Sequence, residues 1–322
     1  MTRFEQARVS DCLRWAKGPF LKKFHLADFA SYRKPAVFFG CYGPTDLFAL
    51  RRHYGPKLLI WGGTDAMNSR IVRGTLRCRD CYHVAISDYI SKDLERFAIP
   101  HVRLPVTPVD HDVYDLGPCV KGDAIYVYTS PGRPEFYGQP IIETLQREFP
   151  EIEFIVCHQK SYSRERLCGI YKKCFMGLRL VEHDGLPNTV VELGLMGRYT
   201  VHNGGLPSSL PYANIDDIRK HIVQQRETIG TIDRDVARRT SEYIALPPDW
   251  LDVEYYANRC EPAKTTRSHL WFASPFEDLS DFLWLHPVPR LFLGSIFGRV
   301  RSCCRKAFVA ATYVVRKLQT RR

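Results

Sequence analysis

The most chemically informative stretch of this chain pairs two carboxylates with the start of a helix. An apolar run from Phe175 to Leu180 reads as a strand and leads into the turn Asp184-Gly185-Leu186-Pro187. A helix follows, with Pro187 in its first turn, where proline's fixed φ and missing N–H cost least. The free amides around Leu186 to Thr189 then lie at the positive end of a helix dipole, just beyond the end of a strand. That is an anion site suited to nucleotide phosphates. Asp184 sits on the turn and Glu192 a little over one turn into the helix, and both can accept from sugar or ribose hydroxyls. Asn188 precedes Glu192 by one helical turn and shares its face. Phosphate-binding amides between such carboxylates suit a nucleotide sugar. Acids near a helix start are also favoured by the dipole alone, so a purely structural pair stays open.

The elements needed to position these groups are those of an α/β protein with parallel sheets, because short apolar runs alternate with longer amphipathic ones. Strands are expected at Ala36–Gly40, Lys57–Gly62, His83–Ser87 and Val102–Pro105, and again at Ala124–Tyr128, Phe154–His158 and Tyr199–His202. Helical patterns cover Thr45–His53, Tyr89–Phe97, Ile141–Phe149, Ser163–Cys174 and Asp216–Gln225. The stretch Pro105 to Pro118, rich in Pro, Asp and Gly, reads as a link. The expected organisation is a short N-terminal Rossmann-like domain over 1–118, a second over 119–245, and a helical segment over 246–322. Two doubly wound units facing a cleft place ligands at the carboxyl ends of their strands.

At this point a family resemblance is recognisable. The segment Gly177 to Gly197 resembles the donor-site motif of the GT-B glycosyltransferases of the glycosyl-transferase group 1 (glycogen-synthase-like, retaining) type, an acid, seven residues and a Glu around Gly-Leu-Pro. Asp184 stands at the first acid and Glu192 at the second, and Gly197 to Gly205 resembles the following strand and Gly-Gly loop, which includes Gly204. The resemblance is dense from 124 to 205 and loose before that. It implies a nucleoside-diphosphate-sugar donor, no required cofactor and no metal, and transfer to an unidentified glycan, lipid or protein acceptor. It also implies that Glu192 holds the ribose, that Asp184 faces the sugar hydroxyls near the anomeric carbon, and that the amides around Leu186 to Thr189 receive phosphate, with Gly185 among the donor-binding residues. The family's Arg carries over to Arg133, while its Lys position is Tyr137, so Arg179 at the end of its strand becomes the candidate replacement. The departures are Asp for the first Glu and a shortened, reordered Gly-Leu-Pro. They leave inversion open beside retention.

In the N-terminal half, Gly40-Cys41-Tyr42-Gly43 and Trp61-Gly62-Gly63-Thr64-Asp65 each follow a strand. Gly43 and its neighbours would let backbone approach a donor or acceptor, as would any tight strand-to-helix turn. Asp65, His83 and Asp88 are further acceptor-side candidates. The triplets Asp110-His111-Asp112 and Asp233-Arg234-Asp235 support one alternative, a metal-dependent GT-A transferase using Asp110 and Asp112. Cys78-Arg79-Asp80-Cys81 has no second pair at zinc-site spacing and reads as two thiols.

A chain of 322 residues can hold two domains, and 45% hydrophobic with 25% charged residues is an ordinary globular composition. Nine of the 46 basic residues and none of the 35 acidic ones lie from Pro287 onward, so the formal charge of +11 falls to +2 in the body. A nucleic-acid partner is therefore disfavoured, and no reader motif appears. In the tail, Val300, Cys304, Ala307, Ala311, Val314 and Leu318 share a helical face with basic residues opposite. That pattern suits an anionic membrane surface, with Cys303-Cys304 as an acylation site, or packing back on the body. Eleven scattered cysteines and a charged N-terminus imply a cytoplasmic protein, peripheral on a membrane if the tail binds one. A degenerate GT-B fold serving as a non-catalytic adaptor is the remaining alternative.

Overall fold

The computed structural model describes residues 2–130, 132–158 and 162–260, whose strands pair into two parallel sheets. The first is built from β1 (Gln6–Val9), α1 (Arg14–Phe24), β2 (Ala27–Asp28), β3 (Ala36–Phe39), α2 (Pro44–Arg52), β4 (Lys57–Trp61), α3 (Ser69–Thr75), β5 (Cys81–Ala85), α4 (Asp88–Glu95) and β6 (Val102–Arg103). The second uses β7 (Ala124–Thr129), α5 (Gln139–Glu148), β8 (Phe154–His158), α6 (Arg164–Lys172), β9 (Cys174–Leu178), α7 (Asn188–Leu195), β10 (Tyr199–Val201), β11 (Ser209–Leu210) and α8 (Ile215–Arg226). Two further helices, α9 (Arg234–Ile244) and α10 (Val253–Ala257), follow.

Strand order is β2-β1-β3-β4-β5-β6 in the first sheet and β11-β10-β9-β7-β8 in the second. Both are doubly wound. In each, the first strand lies between its successors, so the order reverses beside β1 and beside β7, where ligand crevices of open α/β sheets form. Strands such as β3 (AVFF) and β9 (CFMGL) are buried along their whole length. Continuous apolar runs are what helices on both faces require. The chain is thus α/β with two Rossmann-like halves.

The sequence reading leaves residues before Ala36 without a strand, and this is corrected by β1, which pairs with β2 and β3 and lies inside the sheet. Its polar Gln6 is 3% exposed, and its amide is matched by the Ser31 and Lys34 carbonyls and the Ala30 and Ser31 amides. The strand expected at His83–Ser87 starts two residues earlier, at Cys81, and β6 is only Val102–Arg103. Pro187 caps α7 from outside rather than standing in its first turn. Ser87 caps α4, and Asn214 with Asp217 forms a capping box on α8, a local device that satisfies orphan amides at a helix start.

Helix α7 joins the halves. Leu186, Val190 and Val191 are buried in the core that β3, β4 and β5 build, whereas Leu193 and Met196 are buried with Tyr126 and Tyr171 under the second sheet. Residues beyond α9 return to the first half: the Phe4 amide donates to Leu251 O (2.9 Å), Val253 N to Thr2 O (2.9 Å), and Trp250 meets Phe24 edge-on at 4.7 Å. The basic amphipathic tail and Cys303-Cys304 lie outside the described residues. No helix among the described residues is long and apolar enough to cross a membrane.

Candidate functional site

The turns at the carboxyl ends of both sheets meet around Asp184. Leaving β9, Arg179 donates from its amide to Val201 O, which turns its side chain at the edge shared with β10. Its Nε donates to Asp184 Oδ2 at 2.5 Å, and its guanidinium lies 4.4 Å over the Tyr128 ring at the end of β7. Tyr137 packs edge-on against Tyr128 at 5.3 Å, completing an aromatic seat for the cation. Asp184 Oδ1 accepts the Gly185 amide at 2.9 Å, and the imidazole Nε2 of His202, following β10, lies 3.7 Å from Oδ2.

Both partners are largely sequestered, at 12% side-chain exposure for Arg179 and 16% for Asp184. Burial works against the Asp184 charge, but the Arg179 guanidinium and the His202 ring override it and hold the carboxyl well below the usual range. Arg179 is also buried against its charge, and Asp184 raises it further above its already high value. The site therefore holds a buried ion pair at any pH near neutrality.

The first half closes on this pair. Ser87 Oγ donates to Asp184 O at 3.3 Å, and His183 Nε2 bonds Asp93 Oδ2 of α4 at 2.8 Å. A Cβ on Gly185 would lie 2.7 Å from Gly62 O, so the two turns touch backbone to backbone. Gly185→Ala is expected to cost about 1–3 kcal/mol by overpacking this seam. Urea denaturation checks it, and an unshifted midpoint would show that the turns separate freely. Behind the seam, Asp65 is 1% exposed and accepts the amides of Cys41, Gly62, Gly63 and Ala66 at 2.8–3.2 Å. Asp46 accepts Ser10 Oγ (2.7 Å) and the Tyr42 amide (3.1 Å), so the turns after β1, β3 and β4 are braced together.

Of the residues picked out by sequence, the structure brings Asp184, Arg179 and Gly185 together, with Leu186 and Pro187 buried beside them. Asn188 and Thr189 head α7, and Asn188 Oδ1 accepts Thr107 Oγ1 of the link at 3.1 Å. Gly43 caps α2 with open space where a Cβ would be, and Gly204 donates its amide to His202. Arg133 does not join them. It is exposed, 5.8 Å over the Phe136 ring. Glu192 is fully buried on the far side of α7, taking the Tyr171 hydroxyl at 2.8 Å and ion-paired with Arg164. His111 approaches it at 4.0 Å, but burial pushes that imidazole down to about 3, so the contact carries no charge on the histidine.

The acceptor-side candidates have internal partners: His83 accepts the Trp61 indole N–H at 3.1 Å, and Asp88 pairs with Arg103 at 2.9 Å. Asp110 caps the turn at His111–Val113 and Asp233 caps α9. Cys78 and Cys81 are buried free thiols whose pKa values burial raises, to about 11 for Cys78. Sequence reasoning missed Tyr128 and His202 as parts of the Asp184 group and Arg164 and Tyr171 as partners of Glu192. Tyr128 and His202 stand at strand ends within stretches already singled out, which is the signal that could have found them.

No family model matches the chain, and no curated protein matches it in sequence. Its coordinates match S. aureus TarM, solved with UDP, at 11% identity and a TM-score of 0.48, covering 74% of this chain and 56% of that one. They match sucrose-phosphate synthase from Thermosynechococcus elongatus at 11% and 0.46, covering 76% of each chain. They also match an α,α-trehalose-phosphate synthase from Burkholderia xenovorans, solved with glucose-6-phosphate, at 8% and 0.45, covering 77% of each. The chain thus spans 56% of the length of TarM. These are likenesses at 8–11% identity, each with a TM-score below 0.5.

Proposed function

We propose that this chain transfers a sugar from a nucleoside-diphosphate-sugar donor to a glycan, lipid or protein acceptor. The observation that carries the reading is the meeting of carboxyl-end turns from both parallel sheets at the Arg179–Asp184 pair. The donor would lie against the second half. Arg179 and the amides at Asn188 and Thr189 would take the diphosphate, and Asp184 would face the sugar near its anomeric carbon. As the bond from the anomeric carbon to the phosphate oxygen breaks, its electron pair leaves with the diphosphate. Fixed cationic and amide donors are what stabilise that developing charge. The acceptor hydroxyl, entering from the first half, forms the new bond, and its proton can leave on the departing phosphate oxygen. On this reading the anomeric configuration is retained and no metal is needed. Segment 287–322 would bring the protein to an anionic membrane surface.

One observation favours a second reading, a fold kept without transfer: Glu192, the motif's second acid, is wholly buried and already held by Tyr171 and Arg164. A thermal-shift screen with UDP-, GDP-, ADP- and CMP-sugars separates the two. Stabilisation by one of them is expected, about 2.7 kcal/mol at ~100-fold its dissociation constant. It should weaken in Arg179→Lys, which keeps the charge but loses the planar fork. A wild type indifferent to all four classes would favour the second reading.

A further inference from the structure

His202 is wholly buried just after β10. Its Nδ1 lies 3.0 Å from the Gly204 amide nitrogen. A backbone N–H can only donate, so Nδ1 is the acceptor and the neutral ring carries its proton on Nε2. The Ser209 hydroxyl, at 3.4 Å, approaches the same Nδ1. Nε2 is shut off from solvent and has no hydrogen-bond partner, yet it faces Asp184 Oδ2 at 3.7 Å. Gly204 makes room for this ring: a Cβ there would lie 2.1 Å from His202 Cε1. A buried N–H donor is thus aimed at an oxygen that another donor, Arg179 Nε, already holds at 2.5 Å.

An unpaired buried donor is costly, and a buried carboxylate stripped of its cation is costlier. Arg179 is also the cation that the transfer reading gives to the diphosphate. We infer that His202 is a positioning residue for Asp184: when a donor diphosphate draws Arg179 off, the Nε2–H of His202 takes over Asp184 Oδ2. The carboxylate then stays charged and aimed at the sugar through the exchange. An approach of roughly 0.8 Å brings the pair to hydrogen-bond distance. The inference rests on the transfer reading above, and it adds what keeps the site ordered while its ion pair is broken.

Two substitutions split the ring's two contacts. His202→Gln places an amide nitrogen near the Nε2 position and keeps the donor to Asp184. His202→Asn keeps an acceptor for the Gly204 amide and loses the reach to Asp184. The full chain and both variants are compared by thermal midpoint, by turnover of the sugar nucleotide that most stabilises the wild type, and by long-range 1H–15N spectra of the histidine side chains. The wild type should show His202 protonated at Nε2 only, with that resonance moving in Asp184→Asn and on adding the sugar nucleotide. Turnover should fall on the order of 10- to 100-fold in kcat in the asparagine form, with KM nearly unchanged, and stay within about threefold in the glutamine form. A ring protonated at Nδ1, an Nε2 indifferent to Asp184→Asn, or an asparagine form as active as the glutamine form each overturns the inference. If no sugar nucleotide binds, the transfer reading falls on that ground, while the tautomer and its response to Asp184→Asn still decide the contact.

Discussion

Replacing Arg198 by methionine is expected to lower the unfolding free energy by about 3–5 kcal/mol, with no loss of hydrophobic volume to blame. Arg198 is 0% exposed, and its guanidinium is spent on backbone carbonyls. Nε donates to Cys174 O (2.9 Å), one terminal nitrogen to Met196 O (2.5 Å) and Cys119 O (3.5 Å), and the other to Val120 O (2.8 Å) and Lys172 O (3.4 Å). These carbonyls belong to the segment before β7, the junction of α6 with β9 and the end of α7, so a single side chain ties three segments together. Methionine fills most of the space but leaves buried acceptors unmet, each costing roughly 1–3 kcal/mol. Removing the guanidinium also returns the cost of burying its charge, which holds the net loss to about 3–5 kcal/mol, below the sum of the unmet acceptors. Lysine should recover little, because one ammonium cannot match a planar fork. Denaturant titration followed at two wavelengths checks it, and a loss below about 1 kcal/mol would mean that water reaches those carbonyls.

Asp184→Asn should cost a similar amount at neutral pH, and its pH dependence is distinctive. The substitution leaves the Arg179 guanidinium buried beside a neutral amide, and removing one partner of a buried pair costs about 3–5 kcal/mol. The folded-state pKa of Asp184 is depressed by Arg179 and His202 in spite of burial. A depressed carboxylate stabilises the fold fully above its unfolded value, about 3.9, and loses that contribution as pH falls toward the folded value. The gap between wild type and Asp184→Asn should therefore be flat from about pH 5 to 8 and narrow only in more acid solution. Arg179 stays charged throughout, because its own shift is upward. A double-mutant cycle with Arg179→Met should give a coupling energy in the range of about 0.5–3 kcal/mol. A gap that closes between pH 6 and 7 would show that a histidine, not Asp184, controls the site.

How legible all this was in the sequence depends on where each residue's partners come from. β3, β4, β7 and β9 were visible because both faces are covered by helices, which leaves an apolar run bounded by turn residues. β1 was not. Gln6 and Arg8 break its apolar run, and the backbone groups at Ala30, Ser31 and Lys34 that satisfy Gln6 lie in a loop beyond the next helix. At the site, Asp184 and Arg179 are five residues apart, and the turn between them leaves little choice but contact. The setting of Glu192 depends on Arg164 and Tyr171 from α6, and no local pattern records that pairing. Arg133 leans on Phe136, three residues on, and is exposed, which its own stretch of sequence does not record. His202 was visible as a residue, but its chemistry is set by one backbone amide two residues on.

The return of the chain to its first half bears on how the protein is made. Trp250, Leu251, Tyr255, Tyr256 and Cys260 complete the core that begins with Phe4 and Ala7, and Arg3 bridges Asp252 antiparallel. A ribosome has therefore released every strand of the first sheet by Arg103, yet the residues that seal it have not been synthesised until Cys260. At ~5–20 residues per second that wait lasts on the order of ten seconds or more. During it, the second sheet can form while the first still exposes apolar surface around Phe4, Phe24 and Tyr82. A chain held at that point would present those aromatic residues to chaperones until its last segment arrives.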